Sequence, residues 1–212
     1  MLFDLDGVIV DTAVYHYQAW KRMANELGFD IDEEFNETLK GISRMDSIAR
    51  ILAHGKLELP ESRILDLATQ KNEWYVEMID QMTAANILPG ITDLVKQIKQ
   101  MGLKMALGSA SKNAPRILER IGLASMFDAV VDGNSVLKSK PDPEVFIKGA
   151  EALNLQYEEC VVVEDAFAGI EAAHAAGMKA IGIGTAENLP NADLILPSFE
   201  GVDLADLLKS LS

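Results

Sequence analysis

The sequence predicts an α/β protein, with a doubly wound parallel sheet (Rossmann-like) as its core and an inserted α-helical cap domain. Two observations predict this fold class. Along most of the chain, short apolar runs alternate with stretches of helical period, which is typical of parallel strands joined by right-handed helical crossovers. Residues 13–86 contain no convincing strand, and a helical block of roughly seventy residues is too long for an ordinary crossover.

Six segments are predicted as strands, because each is too short for a helix and most are rich in Val, Ile or Leu. They are residues 1–5, 104–108, 129–131, 160–163, 179–183 and 193–196. The predicted core domain comprises residues 1–12 and 87–212. The predicted cap domain comprises residues 13–86, with helices over 14–27, 44–53 and from 61 to about 82.

The helices of the core are predicted from apolar stripes and from residues that begin or end helices. The stripes are Leu94, Val95, Ile98 and Met101, and then Ile117, Leu118 and Ile121. Asp142 followed by Pro143 predicts an N-cap and the first helical residue. Gly177 predicts the end of a helix that begins near Ala166.

Composition excludes several classes of partner. The 212 residues carry 33 acidic and 19 basic side chains, a formal charge of −14. A charge this negative repels nucleic acid, and no basic run offsets it. No apolar run is long enough to span a membrane, and no signal-peptide pattern precedes the first strand. One cysteine, Cys160, fits a reducing compartment. We therefore expect a soluble cytoplasmic protein without nucleic acid or a membrane as partner. We also expect it to act on small molecules as a monomer.

Carboxylates follow two of the predicted strands, at the edge where a doubly wound sheet gathers its functional groups. Asp4 and Asp6 are two residues apart on an extended chain, so both side chains can face one site. Glu164 and Asp165 follow the strand 160–163. Four carboxylates around one point suit Mg²⁺, whereas one cysteine and three scattered histidines disfavour zinc. Taken singly, each acid has the alternative of capping a helix or ending a strand.

The same positions form a known set of motifs. Residues 3–12, FDLDGVIVDT, resemble the first signature of the haloacid dehalogenase-like superfamily of aspartyl phosphotransferases, and Ser109, Lys140 and Glu164-Asp165 resemble the other three. The resemblance implies that Asp4 is a nucleophile that forms an aspartyl phosphate, and that Asp6 is a general acid/base. It also implies Mg²⁺ held by Asp4, the backbone carbonyl of Asp6 and Asp165, with Glu164 close by or acting through water.

Phosphoryl transfer needs positive charge and hydrogen-bond donors on the equatorial oxygens. Lys140 can neutralise one such oxygen, and the Ser109 hydroxyl can donate to another. Dehalogenation, the other chemistry of the superfamily, needs no Mg²⁺. The second acid, Asp6, and the Glu164-Asp165 pair therefore favour phosphate.

The helical block resembles the type 1 cap of one branch of the superfamily, the sugar phosphomutases. The matching segments include residues 39–44 (LKGISR), Lys71-Asn72, residues 109–113 (SASKN) and 139–141 (SKP). The resemblance implies that Arg44, Lys112 and Asn113 bind the phosphate that is not transferred. Ser109, Ala110 and Ser111, in the matching segment, are expected to be substrate-binding residues. It implies that the sugar is surrounded by His16, Trp20, Gly41, Ile42, Ser43, Ser47 and Lys71, and that Thr12 tunes the hinge and the protonation of Asp6.

Each cap residue also has a structural alternative. Trp20 fits an amphipathic lid interface, and Ser43 fits the N-cap of the following helix. Arg44 fits an exposed, solubilising position, and solvent exposure is the default explanation for Lys71-Asn72.

The reaction that the resemblance implies interconverts β-D-glucose 1-phosphate and glucose 6-phosphate through a bisphosphate. Two alternatives remain open. One is a hydrolytic sugar-phosphate phosphatase, or a mutase for another sugar phosphate, on the same core. The other is a non-enzymatic regulator on an inactive scaffold, whose sign would be loss of Asp4, Asp6 or Asp165; all three are present.

Overall fold

The computed structural model describes residues 1–40 and 42–211. Six strands are formed: β1 (Leu2–Phe3), β2 (Ala106–Gly108), β3 (Ala129–Val131), β4 (Val161–Glu164), β5 (Lys179–Ile183) and β6 (Leu194–Leu196). They make one sheet in the order β3-β2-β1-β4-β5-β6, and every pairing is parallel. Each strand lies within or overlaps a predicted one, several of them shorter. The fold class predicted from the sequence is confirmed.

The central strands are apolar on both faces, as a sheet covered on both sides requires. Leu2 and Phe3 of β1 are adjacent, so their side chains leave opposite faces. Phe3 joins an apolar cluster with α5 (Ile91–Gln100), α6 (Ala114–Arg120) and α9 (Leu204–Ser210). Leu2 joins a second cluster with α7 (Glu144–Leu153) and α8 (Phe167–Ala175). The sheet is therefore the middle layer of three.

The segment between β1 and α5 contains four α-helices: α1 (Ala13–Glu26), α2 (Glu33–Glu37), α3 (Arg44–His54) and α4 (Glu61–Ile79). A third apolar cluster, which includes Trp20, Ile48 and Leu67, is formed by these helices and the loops that join them. The far end of α4 packs instead on the sheet, because Tyr75 and Ile79 belong to the cluster around Phe3. This helical block therefore has its own interior and one helix anchored on the core.

Several helix boundaries differ from the predicted ones. α7 begins at Glu144, with Pro143 as its N-cap residue. The Asp142 carboxylate still accepts a hydrogen bond from the Glu144 N–H, so the cap prediction was wrong by one residue. Met101, predicted as part of the apolar stripe, is the C-cap residue of α5 and is half exposed. The helix ends at Gln100, so the helical spacing no longer places Met101 on the buried face. α2 was not predicted, since five residues are too short to show a period. α4 ends at Ile79 rather than near 82.

The end of α8 agrees with the sequence, since Gly177 has a positive φ of 74° just after the helix. Among the described residues, no helix combines the length and the apolar character needed to cross a lipid bilayer.

Candidate active site

A cleft of about 1450 Å³ lies between the carboxyl edge of the sheet and the helical block. It is lined by most of the residues predicted from the sequence: Asp4, Asp6, His16, Trp20, Ile42, Ser43, Arg44, Ser47, Lys71, Ser109, Ala110, Ser111, Lys112, Asn113, Lys140 and Asp165. Glu164 lies behind the wall, fully buried, and Thr12 is also fully buried and precedes α1. Gly41 lies outside the described residues.

The centre of the sheet edge is an ammonium held between two carboxylates. Lys140 Nζ donates to Asp4 Oδ1 at 2.5 Å, to Glu164 Oε1 at 2.6 Å and to the Gly108 carbonyl at 3.1 Å. All three side chains are buried. Burial lowers the pKa of Lys140, but the charges of Asp4 and Glu164 outweigh it and raise the pKa above its ordinary value. Lys140 therefore stays charged beside the Asp4 carboxylate.

Asp4, Glu164 and Asp165 form an acidic cluster, with one carboxylate oxygen from each lying within 4.8 Å of the others. Burial is the main cause that raises the pKa of Glu164 to about 8 and the pKa of Asp165 to about 7. The carboxylates are thus short of positive charge in spite of the Lys140 ammonium. A compact set of oxygen donors that lacks positive charge fits Mg²⁺, whereas it offers no soft ligand for other metals.

Asp6 differs from these three carboxylates. It is outside the metal-type cluster, and its Oδ1 is buried with no hydrogen-bond partner among the described residues. Burial and the charge of Asp4 raise the pKa of Asp6 to about 7. Such a carboxyl can both release and accept a proton near neutral pH.

Gly7 allows this crowded arrangement. Its φ is 79°, and a Cβ at this position would lie 2.1 Å from Asp165 Oδ2. Only glycine therefore lets the chain turn after Asp6 while Asp165 stays against it. The Gly7 N–H donates to the Val10 carbonyl at 2.8 Å, which closes the turn.

The loop after β2 is held by its own serines. The buried Ser109 hydroxyl accepts a hydrogen bond from the Ser111 N–H at 3.1 Å. The Ser111 hydroxyl in turn accepts from the Asn113 N–H at 3.2 Å. Asn113 is the N-cap residue of α6, and Lys112 is exposed at the wall of the cleft. The loop therefore presents hydroxyl, amide and ammonium donors to one space.

The facing wall contains a buried lysine. Lys71 Nζ lies 2.9 Å from His16 Nδ1 and 4.1 Å above the Trp20 ring. Burial, reinforced by the charge of Arg44, lowers the pKa of Lys71 well below its ordinary value. Burial and the charge of Lys71 do the same to the pKa of His16, so the imidazole is neutral at pH 7. The explanation of Lys71 by solvent exposure is wrong, since the residue is 2% exposed.

The residues at the start of α3 fit both their structural and their ligand-binding interpretation. The Ser43 hydroxyl accepts from the Asp46 N–H at 3.2 Å and is the N-cap predicted as its structural alternative. Ser47 donates to the Ser43 carbonyl at 3.0 Å. Arg44 is half-buried in the cleft rather than freely exposed. Asp46 also accepts from Ser139 at 2.6 Å, which joins α3 to the core.

Three site residues were not assigned from the sequence. Lys40 Nζ lies 3.4 Å from Asp165 Oδ2 and 2.9 Å from Glu37. Asn72 Oδ1 accepts from Arg44 and from Asn113. Tyr75 is buried in the cleft wall. Lys40 and Asn72 lie in the matching segments, and Tyr75 follows Lys71 by four residues on α4, so helical spacing alone could have indicated it.

For Thr12, no hydrogen bond joins its side chain to Asp6 among the described residues. Its predicted effect on the protonation of Asp6 thus has no direct contact to support it. The position is nevertheless the last residue before α1, where the core chain enters the helical block.

The chain belongs to the haloacid dehalogenase-like hydrolase family, whose sequence model matches residues 1–183. Within that family the chain is similar to the β-phosphoglucomutase of Bacillus subtilis, with 41% identity over 198 residues that cover 92% of this chain and 88% of the relative. It is also similar to the fructose-1-phosphate phosphatase of Escherichia coli, with 33% identity over 184 residues that cover 86% of this chain and 95% of the relative. The crystal structure of β-phosphoglucomutase from Clostridium difficile superposes with a TM-score of 0.96 at 43% identity, covering 99% of this chain and 95% of that one.

Proposed function

We propose that this chain is a Mg²⁺-dependent mutase that interconverts β-D-glucose 1-phosphate and glucose 6-phosphate. The observation that carries the proposal is that the cleft has two separate groups of phosphate donors. Lys140 donates to Asp4 and Glu164 on the core. Arg44 and Asn113 instead meet at Asn72, and with Lys112 they line the same cleft. A mutase whose intermediate is a bisphosphate needs both sites at once, and the similarity to β-phosphoglucomutases supports the same conclusion.

We assign residues 1–12 and 87–212 to a core domain that carries the chemistry, and residues 13–86 to a cap domain that closes over the sugar. The separate apolar cluster of the helical block supports this division. Contacts such as Ser139 with Asp46 and Lys40 with Asp165 would form when the cap is closed.

Mg²⁺ would be held by the carboxylates of Asp4 and Asp165 and by the backbone carbonyl of Asp6, with Glu164 close by or acting through water. When bound, the ion neutralises charge on the phosphoryl oxygens and on the acidic cluster. Glu164 accepts from Lys140 and from the Asp165 and Ala166 N–H groups, so its role is to orient Lys140 and Asp165.

In the first transfer, Asp6 takes the proton of the free sugar hydroxyl while that oxygen attacks phosphorus of the aspartyl phosphate on Asp4. The bond from phosphorus to the Asp4 carboxylate breaks, and the sugar becomes a bisphosphate. In the second transfer, an oxygen of the freed Asp4 carboxylate attacks phosphorus of the other phosphate, the bond from phosphorus to the sugar oxygen breaks, and Asp6 gives its proton to that oxygen. Lys140 and Ser109 neutralise and bind the moving phosphoryl oxygens.

The intermediate is β-glucose 1,6-bisphosphate, which must turn around before the second transfer. Arg44, Lys112 and Asn113 would hold the phosphate that is not reacting. The sugar would lie against Ile42, Ser43, Ser47, His16, Trp20 and Lys71, with Gly41 in the same segment. Thr12 would act at the hinge. The enzyme would work as a cytoplasmic monomer, which the buried free thiol of Cys160 fits.

The direct test is a product assay on pure β-glucose 1-phosphate with Mg²⁺ and a trace of glucose 1,6-bisphosphate. We expect glucose 6-phosphate as the main product, with free phosphate only a minor one. The relative that hydrolyses fructose 1-phosphate motivates a parallel assay of phosphate release from that sugar. If free phosphate exceeds glucose 6-phosphate, the chain is a phosphatase and the mutase proposal fails.

A further inference from the structure

One amide oxygen links the phosphate donors of the cap to those of the core. Asn72 Oδ1 on α4 accepts a hydrogen bond from Arg44 Nη2 at 2.6 Å and another from Asn113 Nδ2 at 2.9 Å. Arg44 begins α3 and Asn113 is the N-cap residue of α6. Three helices from both parts of the chain thus meet at a single acceptor within the cleft.

The amide oxygen of Asn72 is a neutral acceptor, so it leaves the positive charge of Arg44 uncompensated. The described part of the chain offers the Arg44 guanidinium no carboxylate within ion-pair distance. A surface arginine such as Arg116 shows the other case, because both of its bonds go to the Asp80 carboxylate. A hydrogen bond to an amide oxygen restrains the orientation of a guanidinium without cancelling its charge, so the charge remains for an anionic ligand.

Electrostatics around Arg44 support this argument. Burial lowers the pKa of Arg44, and Arg44 in turn lowers the pKa values of Lys71 and His16. A half-buried cation that repels its neighbours is stabilised by a bound anion, and one fixed orientation lowers the entropy lost when that anion binds.

We propose that Asn72 is a positioning residue that holds Arg44 and Asn113 together for the phosphate that is not being transferred. The inference rests on the proposed function, in which that phosphate is bound at this place. Asn72 acts through Arg44, and it joins cap to core only when Asn113 of the core reaches the same oxygen.

The test is a double-mutant cycle on binding, in an Asp4→Asn background so that the sugar phosphate is not turned over. Glucose 6-phosphate with Mg²⁺ is titrated calorimetrically into Asn72→Ala, Arg44→Ala and the double variant. We expect Asn72→Ala to weaken binding about tenfold when Arg44 is present, and less than about threefold in the Arg44→Ala background. The same fold-change in both backgrounds would overturn the inference.

Asn72→Asp separates positioning from charge. It has nearly the same shape and keeps both acceptor bonds, but its carboxylate would neutralise Arg44. We expect binding at least tenfold weaker than with Asn72, about as weak as in Asn72→Ala. Affinity equal to that of the parent would overturn the claim that a neutral acceptor is needed. Glu73→Ala, an exposed neighbour on α4, serves as the matched control, and thermal melting of each variant checks the fold.

The product assay on the same substitutions with Asp4 retained separates this inference from the proposed function. Coupling between Asn72 and Arg44 together with phosphate release would overturn the mutase and leave the positioning role. Additive effects of the two substitutions together with glucose 6-phosphate formation would overturn the positioning role of Asn72 and leave the mutase function.

Discussion

The ionisable groups on the two sides of the cleft have pKa shifts of opposite sign. The wall formed by the sheet edge, the core wall, carries Asp6 and Asp165, with Glu164 buried behind it. All three carboxyl groups have raised pKa values, because burial and neighbouring carboxylates disfavour their ionised forms. On the wall formed by the helical block, the cap wall, Lys71 and Arg44 have lowered pKa values, because burial disfavours their protonated forms. Each wall therefore lacks a charge that a ligand can bring.

This difference indicates how the two walls could bind two phosphate groups of one sugar. The core wall needs a divalent cation before it can hold a phosphate next to four carboxylates. The cap wall can hold a phosphate directly with Arg44. We infer that the transferred phosphate and the remote phosphate are bound by different means, and the predictions below test one wall against the other.

The largest effect is expected at Asp4, the proposed nucleophile. Asp4→Asn keeps the size of the side chain but removes the carboxylate that we propose attacks phosphorus, and one partner of Lys140. We expect glucose 6-phosphate formation to fall by about 10⁴-fold or more, with no covalent labelling by radioactive substrate phosphate. Asp93→Asn on the exposed face of α5 is the control and should retain full activity. Turnover above a few per cent, without deamidation, would show that Asp4 is not the nucleophile.

Asp6→Asn tests whether different carboxylates of the core wall bind the metal and transfer the proton. Asp6 lies outside the acidic cluster, so Mg²⁺ affinity should remain while transfer slows by about 10²–10⁴-fold through loss of the general acid/base. Calorimetric titration with Mg²⁺ and single-turnover kinetics measure the two quantities. A collapse of metal affinity would mean that the Asp6 carboxylate is itself a ligand.

The core wall could be predicted from the sequence because strand ends fix where its residues lie. Asp4 directly follows β1 and Glu164 ends β4, so both lie at the carboxyl edge of one parallel sheet. Lys140 lies in the loop between β3 and α7, and the resemblance to the third family motif indicated its place. The pKa shifts of Lys140 and Glu164 were not predictable, since these depend on burial that only the packed structure provides.

The cap wall was less predictable because its residues lie on helices whose orientation is set by packing. Lys71 is buried against Trp20 although a lysine on a helix is mostly exposed. Lys40 and Asn72 received no role, since their partners Asp165 and Asn113 are distant in sequence. No local spacing indicates such pairs.

Arg44→Ala tests the cap wall alone. Loss of a partly desolvated, charge-assisted phosphate contact should cost about 2–4 kcal/mol, or roughly thirty- to a thousand-fold in transfer to the sugar. Spontaneous hydrolysis of the phosphorylated enzyme should change much less, because Asp4 and Lys140 are untouched. Preformed phosphoenzyme is divided between β-glucose 1-phosphate and buffer, and both products are counted. An equal drop in the two rates would place the effect of Arg44 in the fold or the core wall.

The acidic cluster predicts a stability that depends on pH and on Mg²⁺. With folded-state pKa values raised to about 8 for Glu164 and about 7 for Asp165, the folded protein binds more protons than the unfolded chain from about pH 4 to 8. These groups therefore make the metal-free protein less stable as pH rises through that window.

Mg²⁺ should offset this loss, since it binds the deprotonated carboxylates. At a Mg²⁺ concentration about a hundred times the dissociation constant at pH 8, we expect the melting temperature to rise by about 5–10 °C at that pH. The same Mg²⁺ concentration should raise it by much less at pH 5.5, where protonation of the carboxylates weakens metal binding. Calorimetry with and without Mg²⁺ measures the difference, and Asp165→Asn is expected to reduce it. A Mg²⁺ effect that is equal at the two pH values would argue against these carboxylates as the metal site.

The smallest effect is expected where the walls touch at the rim of the cleft. Ser139 of the core donates to Asp46 of α3 at 2.6 Å, but Asp46 also accepts from Ser43. Because Asp46 keeps a donor and is open to water, Ser139→Ala should raise KM by only about two- to threefold and leave kcat unchanged. Ser62→Ala, exposed at the start of α4, is the control. If Ser139→Ala instead matches Arg44→Ala, the closing of the walls depends on their contact at the rim. That result would contradict our expectation that the phosphate contact of Arg44 matters far more than the contact between Ser139 and Asp46.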